Sequence, residues 1–474
     1  MIEEGKLLDL EADSKKKEFA ELKIKVWRHL KDKEPDLATE LIKNYLLDHY
    51  IIKSIRGDEK EELWIYNDGI YVPNGKSYVE EVCSEIMEAK YTTYFKNLII
   101  TKIKAKTYID QEKFFDQQNN HPYLIPVQNG ILDVYKKILT PFTEDIYFFN
   151  KLPVRYEPGQ ECPFIINFIL EIVESEEDLL TIQEIFGFSL IKEYKYEKAF
   201  MLLGNGRNGK SKLIEIMKRF LGVENCANVS LQEIEKDGFS LCELHNKLVN
   251  ISGDISKQAL ENTGTFKSLT GRDLIHAARK FKNKIKFENY AKMIFAANEL
   301  PRTSDMSEAF FQRWVIINFP YTFYNCIDFE LNSQDPLARK RNPEILQDIL
   351  SDIEMTGLLN WAIEGLHRLK KNQEFTSTKS SEAMRKQWIM KSDSAISFVN
   401  DMIVDDFDQE ISWSSLKRYY LDYCKVNNLK VAKDKHLKDT ILHNTSATDV
   451  RKNTGIYYYN INISSAVVNK QLTL

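Results

Sequence analysis

Apolar positions change their spacing several times along the chain, and each change marks a new element. Residues 1–60 carry them at helical intervals among many charges. Lys15-Lys16-Lys17 leads into Phe19, Leu22, Ile24 and Trp27, and a second periodic run covers Leu37 to Ile52. The lysine run itself reads as a solvated helix face. Strand character begins at Leu63-Trp64-Ile65-Tyr66, and Asn67-Asp68-Gly69 turns the chain into Ile70-Tyr71-Val72, a hairpin signature. A similar region spans 123–155, around Val127-Gln128-Asn129-Gly130-Ile131-Leu132-Asp133-Val134. From Pro163 to Lys192 the spacing is helical again, through Ile165, Phe168, Ile169, Ile172, Leu179, Ile182 and Phe186.

Residues 198–319 alternate short apolar runs with helical stretches, the pattern of a parallel sheet with crossover helices. The expected strands are Ala199–Leu203, Cys226–Val229, Leu248–Ile251, Met293–Ala297 and Val315–Phe319. Helical patterning returns from Asn342 to Trp388. Beyond it, Ala395–Val404, Ser412–Asn427 and Asp434–His443 read as helices, with Asp405-Asp406-Phe407-Asp408 as a solvated linker. Asn453-Thr454-Gly455 then turns a hairpin into Ile456-Tyr457-Tyr458-Tyr459, so the order is that of a winged helix. The expected domains are a charged helical segment (1–60), an α+β helical collar (61–195), an α/β core (196–330), a helical connection (331–390) and a winged-helix domain (391–474).

Composition narrows the class. At 43% hydrophobic and 28% charged, the 474 residues can bury a sizeable core and are not disordered. No apolar run reaches the roughly 18 residues of a membrane span, and Met1-Ile2-Glu3-Glu4-Gly5 does not open a secretory signal. The six cysteines are scattered, which excludes a disulfide scaffold and a cysteine zinc site and fits a reducing, cytoplasmic setting. The eight histidines form no metal-spaced cluster. With a net charge of -5, any contact with nucleic acid must come from local basic patches.

The strongest chemical signal is Gly204-Asn205-Gly206-Arg207-Asn208-Gly209-Lys210-Ser211, a G-x-x-x-x-G-K-[ST] sequence. It follows an apolar strand and opens an amphipathic helix, the setting in which backbone N–H groups wrap phosphates. Lys210 is then expected to neutralise β/γ-phosphate charge and Ser211 to hold Mg²⁺, so ATP and Mg²⁺ are the expected ligands. Hydrolysis needs more: a metal-binding acid, a group that orients water, and positive charge on the γ-phosphate. Asp254 ends the apolar run Leu248–Ile251 and is the candidate acid. Asn298 ends Met293–Ala297 and either orients the water or caps the turn before Glu299-Leu300-Pro301. Arg313 stands between a helix and a strand, either a salt-bridged surface group or a finger for a neighbour's nucleotide.

Glycine loop, acid, Asn298 and Arg313 in this order resemble superfamily 3 helicases, the AAA+-related ring ATPases of viruses, phages and plasmids. The sequence is most similar to the primase–helicases among them, through Lys267-Ser268-Leu269-Thr270-Gly271-Arg272-Asp273, Phe295-Ala296-Ala297-Asn298-Glu299-Leu300-Pro301 and Arg313-Trp314. Upstream, Asn129-Gly130-Ile131-Leu132-Asp133, Leu152-Pro153-Val154-Arg155-Tyr156 and Glu184-Ile185-Phe186-Gly187 look like the helical domain preceding the ATPase in that family. The resemblance spans roughly residues 60–474. It implies a P-loop ATPase core, 3′-to-5′ tracking on single-stranded and forked DNA, and a homo-hexameric ring. It further implies that Lys210, Ser211, Asp254 and Asn298 act in cis, and Arg313 and Lys267 in trans. Many members carry paired acids where Gly253 precedes Asp254 here, which leaves open which group activates water.

In the family, the segment between Asp273 and Ala297 forms a hairpin pointing into the ring channel. Here it contains Lys280, Phe281, Lys282 and Lys284, and basic residues flanking an aromatic suit a single strand. The alternative is a solvated basic hairpin with Phe281 in the core. The basic residues of 391–474 suggest duplex contacts, although such modules also bind proteins. Residues 1–60 are too short for a polymerase-like domain, so no intrinsic primase activity is expected and a separate primase or polymerase is the expected partner. Two rival functions are an ATPase that loads or remodels replication proteins without unwinding, and a nucleotide-switched DNA-binding module.

Overall fold

The computed structural model describes residues 2–56, 62–116, 120–236, 238–253, 255, 260, 263–279, 282–303, 305–427 and 429–464. The protein is a mixed α/β chain, about half helical, with six sheets among the described residues. It divides into two compact units, Met1–Tyr156 with Leu190–Glu193 and Ala278–Lys284, and Glu157–Ser189 with Tyr194–Ala277 and Ile285–Leu474.

The first unit opens with α1 (Ile2–Lys31) and α2 (Pro35–His49), the latter started by a proline whose fixed φ suits a first turn. Strands β1 (Ile52–Arg56), β2 (Leu63–Asn67) and β3 (Ile70–Val72) follow, then α3 (Gly75–Met87), α4 (Thr93–Thr107), β4 (Tyr108–Asp110) and α5 (Gln111–Asp116). The sheet order is β3-β2-β1-β4, with β1 antiparallel to β2 and parallel to β4. Leu63 and Ile65 point from β2 into a core shared with Val26, Ile42, Val82 and Ile103 of the helices. Trp64, Tyr71 and Phe114 form a second, aromatic cluster. A meander of β5 (Leu124–Val127), β6 (Gly130–Asp133) and β7 (Ile138–Thr140) completes the unit. The expected hairpin at Asn67-Asp68-Gly69 is present. By contrast, β1 takes up residues that a helical run was expected to reach, and α3 and α4 stand where the pattern assigned no elements.

The second unit begins with α6 (Pro163–Ile172) and α7 (Glu176–Phe188). Ser175 caps α7, its hydroxyl accepting from Asp178 N, and three acids in the first turn favour the positive helix end. The central elements are β8 (Ala199–Leu203), α8 (Lys210–Leu221), β9 (Cys226–Ala227), α9 (Leu231–Lys236), β10 (Val249–Ser252) and α10 (Gly264–Thr270). Along the chain there follow the two-stranded sheet β11 (Leu274–Arg279) and β12 (Lys282–Glu288), whose residues 278–284 fall in the first unit, then β13 (Lys292–Ala297), α11 (Glu308–Phe311) and β14 (Trp314–Asn318). Strands β14-β8-β13-β10-β9 make one all-parallel sheet in that order. Both faces of β8 and β13 are buried, which explains the apolar runs Ala199–Leu203 and Met293–Ala297; β13 also buries Lys292 at its start.

Short β15 (Thr322–Tyr324), α12 (Cys326–Leu331), β16 (Ala338–Lys340) and α13 (Ile345–Ile349) lead to α14 (Asp352–Asn372) and α15 (Lys379–Ser392). Helix α14 packs on α7 through a buried carboxylate: Glu184 accepts from Arg368 Nε, Thr376 N and the Thr376 hydroxyl, each at 2.7 Å. The chain then forms α16 (Ser394–Met402), β17 (Ile403–Ser412), α17 (Trp413–Val426), α18 (Asp434–Asn444), β18 (Thr448–Lys452) and β19 (Gly455–Ile463). The acidic run Asp405–Asp408 is therefore not a linker but part of β17, which pairs with β19 across a bulge between Asp405 and Glu410. No helix among the described residues is long and apolar enough to cross a membrane.

Candidate functional site

The parallel sheet delivers the glycine loop at its C-terminal edge, where ligands of such sheets bind. Strand β8 stops at Leu203, Gly204 N donates to Ala297 O at 3.1 Å, and α8 starts at Lys210. Two residues in between take left-handed conformations, Arg207 at φ 62° and Gly209 at φ 89°. At Gly209 a side chain is excluded twice over, by that φ and because a Cβ would lie 2.5 Å from Ile172 Cγ2. Such a backbone curls successive N–H groups into a concavity; Gly209 offers α8 no capping side chain, and the first helical N–H, of Lys210, donates to Asn208 Oδ1 at 3.5 Å.

Lys210 is buried inside this curl. Its ammonium donates to Gly204 O, to Asn208 Oδ1 at 3.2 Å and to Asn205 O at 3.5 Å. Asn208 is buried too, while Asn205, Gly206, Arg207 and Ser211 are exposed. The loop borders two clefts. One, of about 380 Å³, runs from Arg207 and Ser211 to Phe168 and Ile172 on α6 and to Phe323 and Arg341. The other, of about 250 Å³, brings Gly204 and Asn205 together with Asn298, Asn318 and Tyr321. Asn298 thus faces the loop from the end of the neighbouring strand β13.

Arg313 stands elsewhere. Its carbonyl accepts from Ala199 N at 2.7 Å, beside the first residue of β8, whereas the loop follows the last. Five strand residues at ~3.3 Å each put it about 16 Å from its own loop, across the sheet. The guanidinium is held by the Thr270 hydroxyl (Nε, 3.0 Å), Ala309 O (Nη1, 2.6 Å) and Glu197 Oε2 (Nη2, 3.4 Å). It lines a cleft of about 290 Å³ with Lys195, Glu197, Lys198 and Gln312. Lys267 lies on α10, one turn before Thr270, and pairs with Asp305 at 2.9 Å. Burial pushes the Asp305 carboxyl up, but hydrogen bonds from Ser307, Thr263 and Lys267 outweigh it and hold the group well below the usual carboxylate range.

Asp254, Lys280 and Phe281 lie outside the described residues, while Lys282 and Lys284 lie on β12. Among the described residues, no group of three His, Cys, Asp or Glu could hold a metal. In the C-terminal part, Lys438 Nζ stands 4.6 Å from the Trp413 ring centroid and Lys452 Nζ 4.7 Å from that of Tyr457. Asp305 and Glu197, the acids that hold Lys267 and Arg313, had no part in the sequence expectation. The only local cue to Asp305 is its turn, in which its carboxylate accepts from Ser307 N at 2.9 Å.

Residues 8–174 match a family model described as D5 N terminal like, and residues 202–313 match a family of unknown function, DUF5906. The first match takes in helices of residues 1–60 that the sequence resemblance leaves out. A protein of Acanthamoeba polyphaga mimivirus, described as a candidate helicase (L207/L206), is 25% identical over 243 residues, 48% of this chain. The chain spans about a quarter of that relative's length, 24%. An apo structure of the NrS-1 C-terminal region is 16% identical with a TM-score of 0.48, covering 89% of this chain and 98% of that one. A second apo structure of the same region is 14% identical with a TM-score of 0.43 over the same shares. The D5 N-terminal match and the mimivirus relative together suggest a replication-associated protein of the viral primase–helicase type.

Proposed function

We propose that this protein is an ATP-driven replicative DNA helicase of a mobile genetic element, of the superfamily 3 kind, working as a homo-hexameric ring. The observation that carries the ring is the position of Arg313. It lies at the opposite end of β8 from its own glycine loop, too far for its side chain to reach, which supports a role for its charge at a triphosphate bound by another protomer. Heterologous contacts of that kind form a ring when their rotation closes.

The loop fits a triphosphate by its backbone. A left-handed curl lined by N–H groups, with an ammonium already buried inside it, is a site for anionic oxygens. In this reading Lys210 turns from the loop carbonyls to the β/γ-phosphates, and Asn298 orients the attacking water. Mg²⁺, held by Ser211 and Asp254, would offset the charge of the phosphate oxygens. Arg313 and Lys267 then supply positive charge to the neighbouring protomer's γ-phosphate.

The strand contacts fall to the hairpin between Asp273 and Ala297, through Lys280, Phe281, Lys282 and Lys284. Residues 391–474 act as a winged helix on duplex DNA at the fork, and a separate primase or polymerase uses the exposed template. A forked-duplex assay tests the whole reading. The wild-type chain with ATP and Mg²⁺ should release the labelled strand and Lys210→Ala should not; ATP turnover without strand release would point to a loader or remodeller.

A further inference from the structure

Of the two cations assigned to the neighbour's triphosphate, one lies on a short helix and the other is hydrogen-bonded to it. On α10, Lys267 precedes by three residues Thr270, whose hydroxyl receives Arg313 Nε at 3.0 Å. Asp305 meets Lys267 from a turn after β13, with Oδ2 accepting from Nζ at 2.9 Å. This acid is itself fixed from several sides. The Thr263 hydroxyl donates to Oδ2, Ser307 N donates to Oδ1 at 2.9 Å, and Asp305 N donates to the Thr303 hydroxyl at 3.1 Å. Thr303 in turn bridges to Leu260, and Leu260 N donates to Arg302 O at 2.9 Å.

So much fixing exceeds what a partly exposed ion pair needs, since such a pair adds little to stability. It suits a different task. A free lysine side chain samples many rotamers, and an anchored acid removes that freedom before a ligand arrives. An ammonium has three donors, so one bond to Asp305 leaves capacity for phosphate oxygens.

We infer that Asp305 is a positioning residue of the shared nucleotide site, holding the Lys267 ammonium in register with Arg313 for the triphosphate of the neighbouring protomer. This inference rests on the ring reading given above. It makes Asp305 necessary on the protomer that donates charge and dispensable on the protomer that binds nucleotide.

The test uses full-length Asp305→Asn, Arg313→Ala and Lys210→Ala proteins, alone and mixed in equal amounts. Asp305→Asn should bind a fluorescent ATP analogue and assemble as the wild type does. Its kcat should fall about 10- to 100-fold with KM nearly unchanged, the loss expected when a charged group shifts by an ångström. Mixing it with Lys210→Ala should restore turnover, because about a quarter of the interfaces in a random ring join a sound pocket to a sound donor face. Arg313→Ala mixed with Lys210→Ala is the control for sharing itself. If that control regains activity and the Asp305→Asn mixture does not, Asp305 does not act in trans and the inference is overturned. If the control also fails, the ring reading fails and this inference with it. Wild-type kcat in Asp305→Asn alone would likewise overturn it. Should that variant not assemble, Asp305→Glu, which keeps the charge but displaces it, takes its place in every arm.

Discussion

Replacing Arg313 by alanine should separate nucleotide binding from turnover. The Arg313 backbone sits beside the first residue of β8, about 16 Å along the strand from the loop of its own chain. At that distance one unit charge interacts with another by about 0.3 kcal/mol in water, and a Debye length of ~8 Å reduces this to below 0.1 kcal/mol. Nucleotide affinity of the variant should therefore stay within about twofold of wild type. Turnover should behave differently, because an arginine placed on the γ-phosphate is worth about 10³- to 10⁵-fold in kcat. The variant also gives up bonds to Thr270, Ala309 and Glu197, but these are partly exposed and their loss should leave the assembly intact. Titration with a fluorescent nucleotide, native mass spectrometry and a steady-state ATPase assay on one preparation read the three quantities. Unchanged ATPase, or an affinity loss of tenfold or more, would refute the reasoning.

Other perturbations have equally definite outcomes. Lys210→Ala removes the only ammonium buried in the loop among the described residues and should abolish nucleotide binding, read by the same titration. Lys282→Ala should leave DNA-independent ATPase near wild type while strand release drops, read by paired ATPase and forked-duplex assays. Lys192 is fully buried, with Nζ 3.2 Å from Leu124 O and 4.4 Å from the Phe148 ring centroid, and burial pushes its pKa down to about 7. The folded state then binds fewer protons than the unfolded state between about pH 7 and 10, so stability rises with pH across that window. Lys192→Met should flatten this slope and raise the thermal midpoint most below pH 7; an unchanged pH dependence would count against it.

The parts of the site that a few consecutive residues define could be read in advance, and those assembled across the chain could not. Strand Ala199–Leu203, the loop and the helix from Lys210 follow from apolar runs and glycine chemistry acting within a dozen positions. Asn298 and Arg313 were visible as polar residues at the ends of strands. Their partners were not, because the Lys267–Asp305 and Arg313–Glu197 pairs join residues 38 and 116 positions apart. The same limit hid β17, whose acids lie on a strand only because Ile403 and Val404 align with Ile463 and Asn462 of β19. The bulge after Asp405 breaks the alternation that marks a strand. At β1, five residues were too few for a period of two to stand out from the helical run before them.

In the proposed ring, one protomer binds the triphosphate and the next completes the charge needed to cleave it. ATP turnover per protomer, followed by dilution from assembled rings to single copies with the oligomeric state recorded at each point, tests it most directly. Turnover should collapse as rings dissociate and return when concentration is restored. A turnover per protomer that stays constant down to single copies would contradict it.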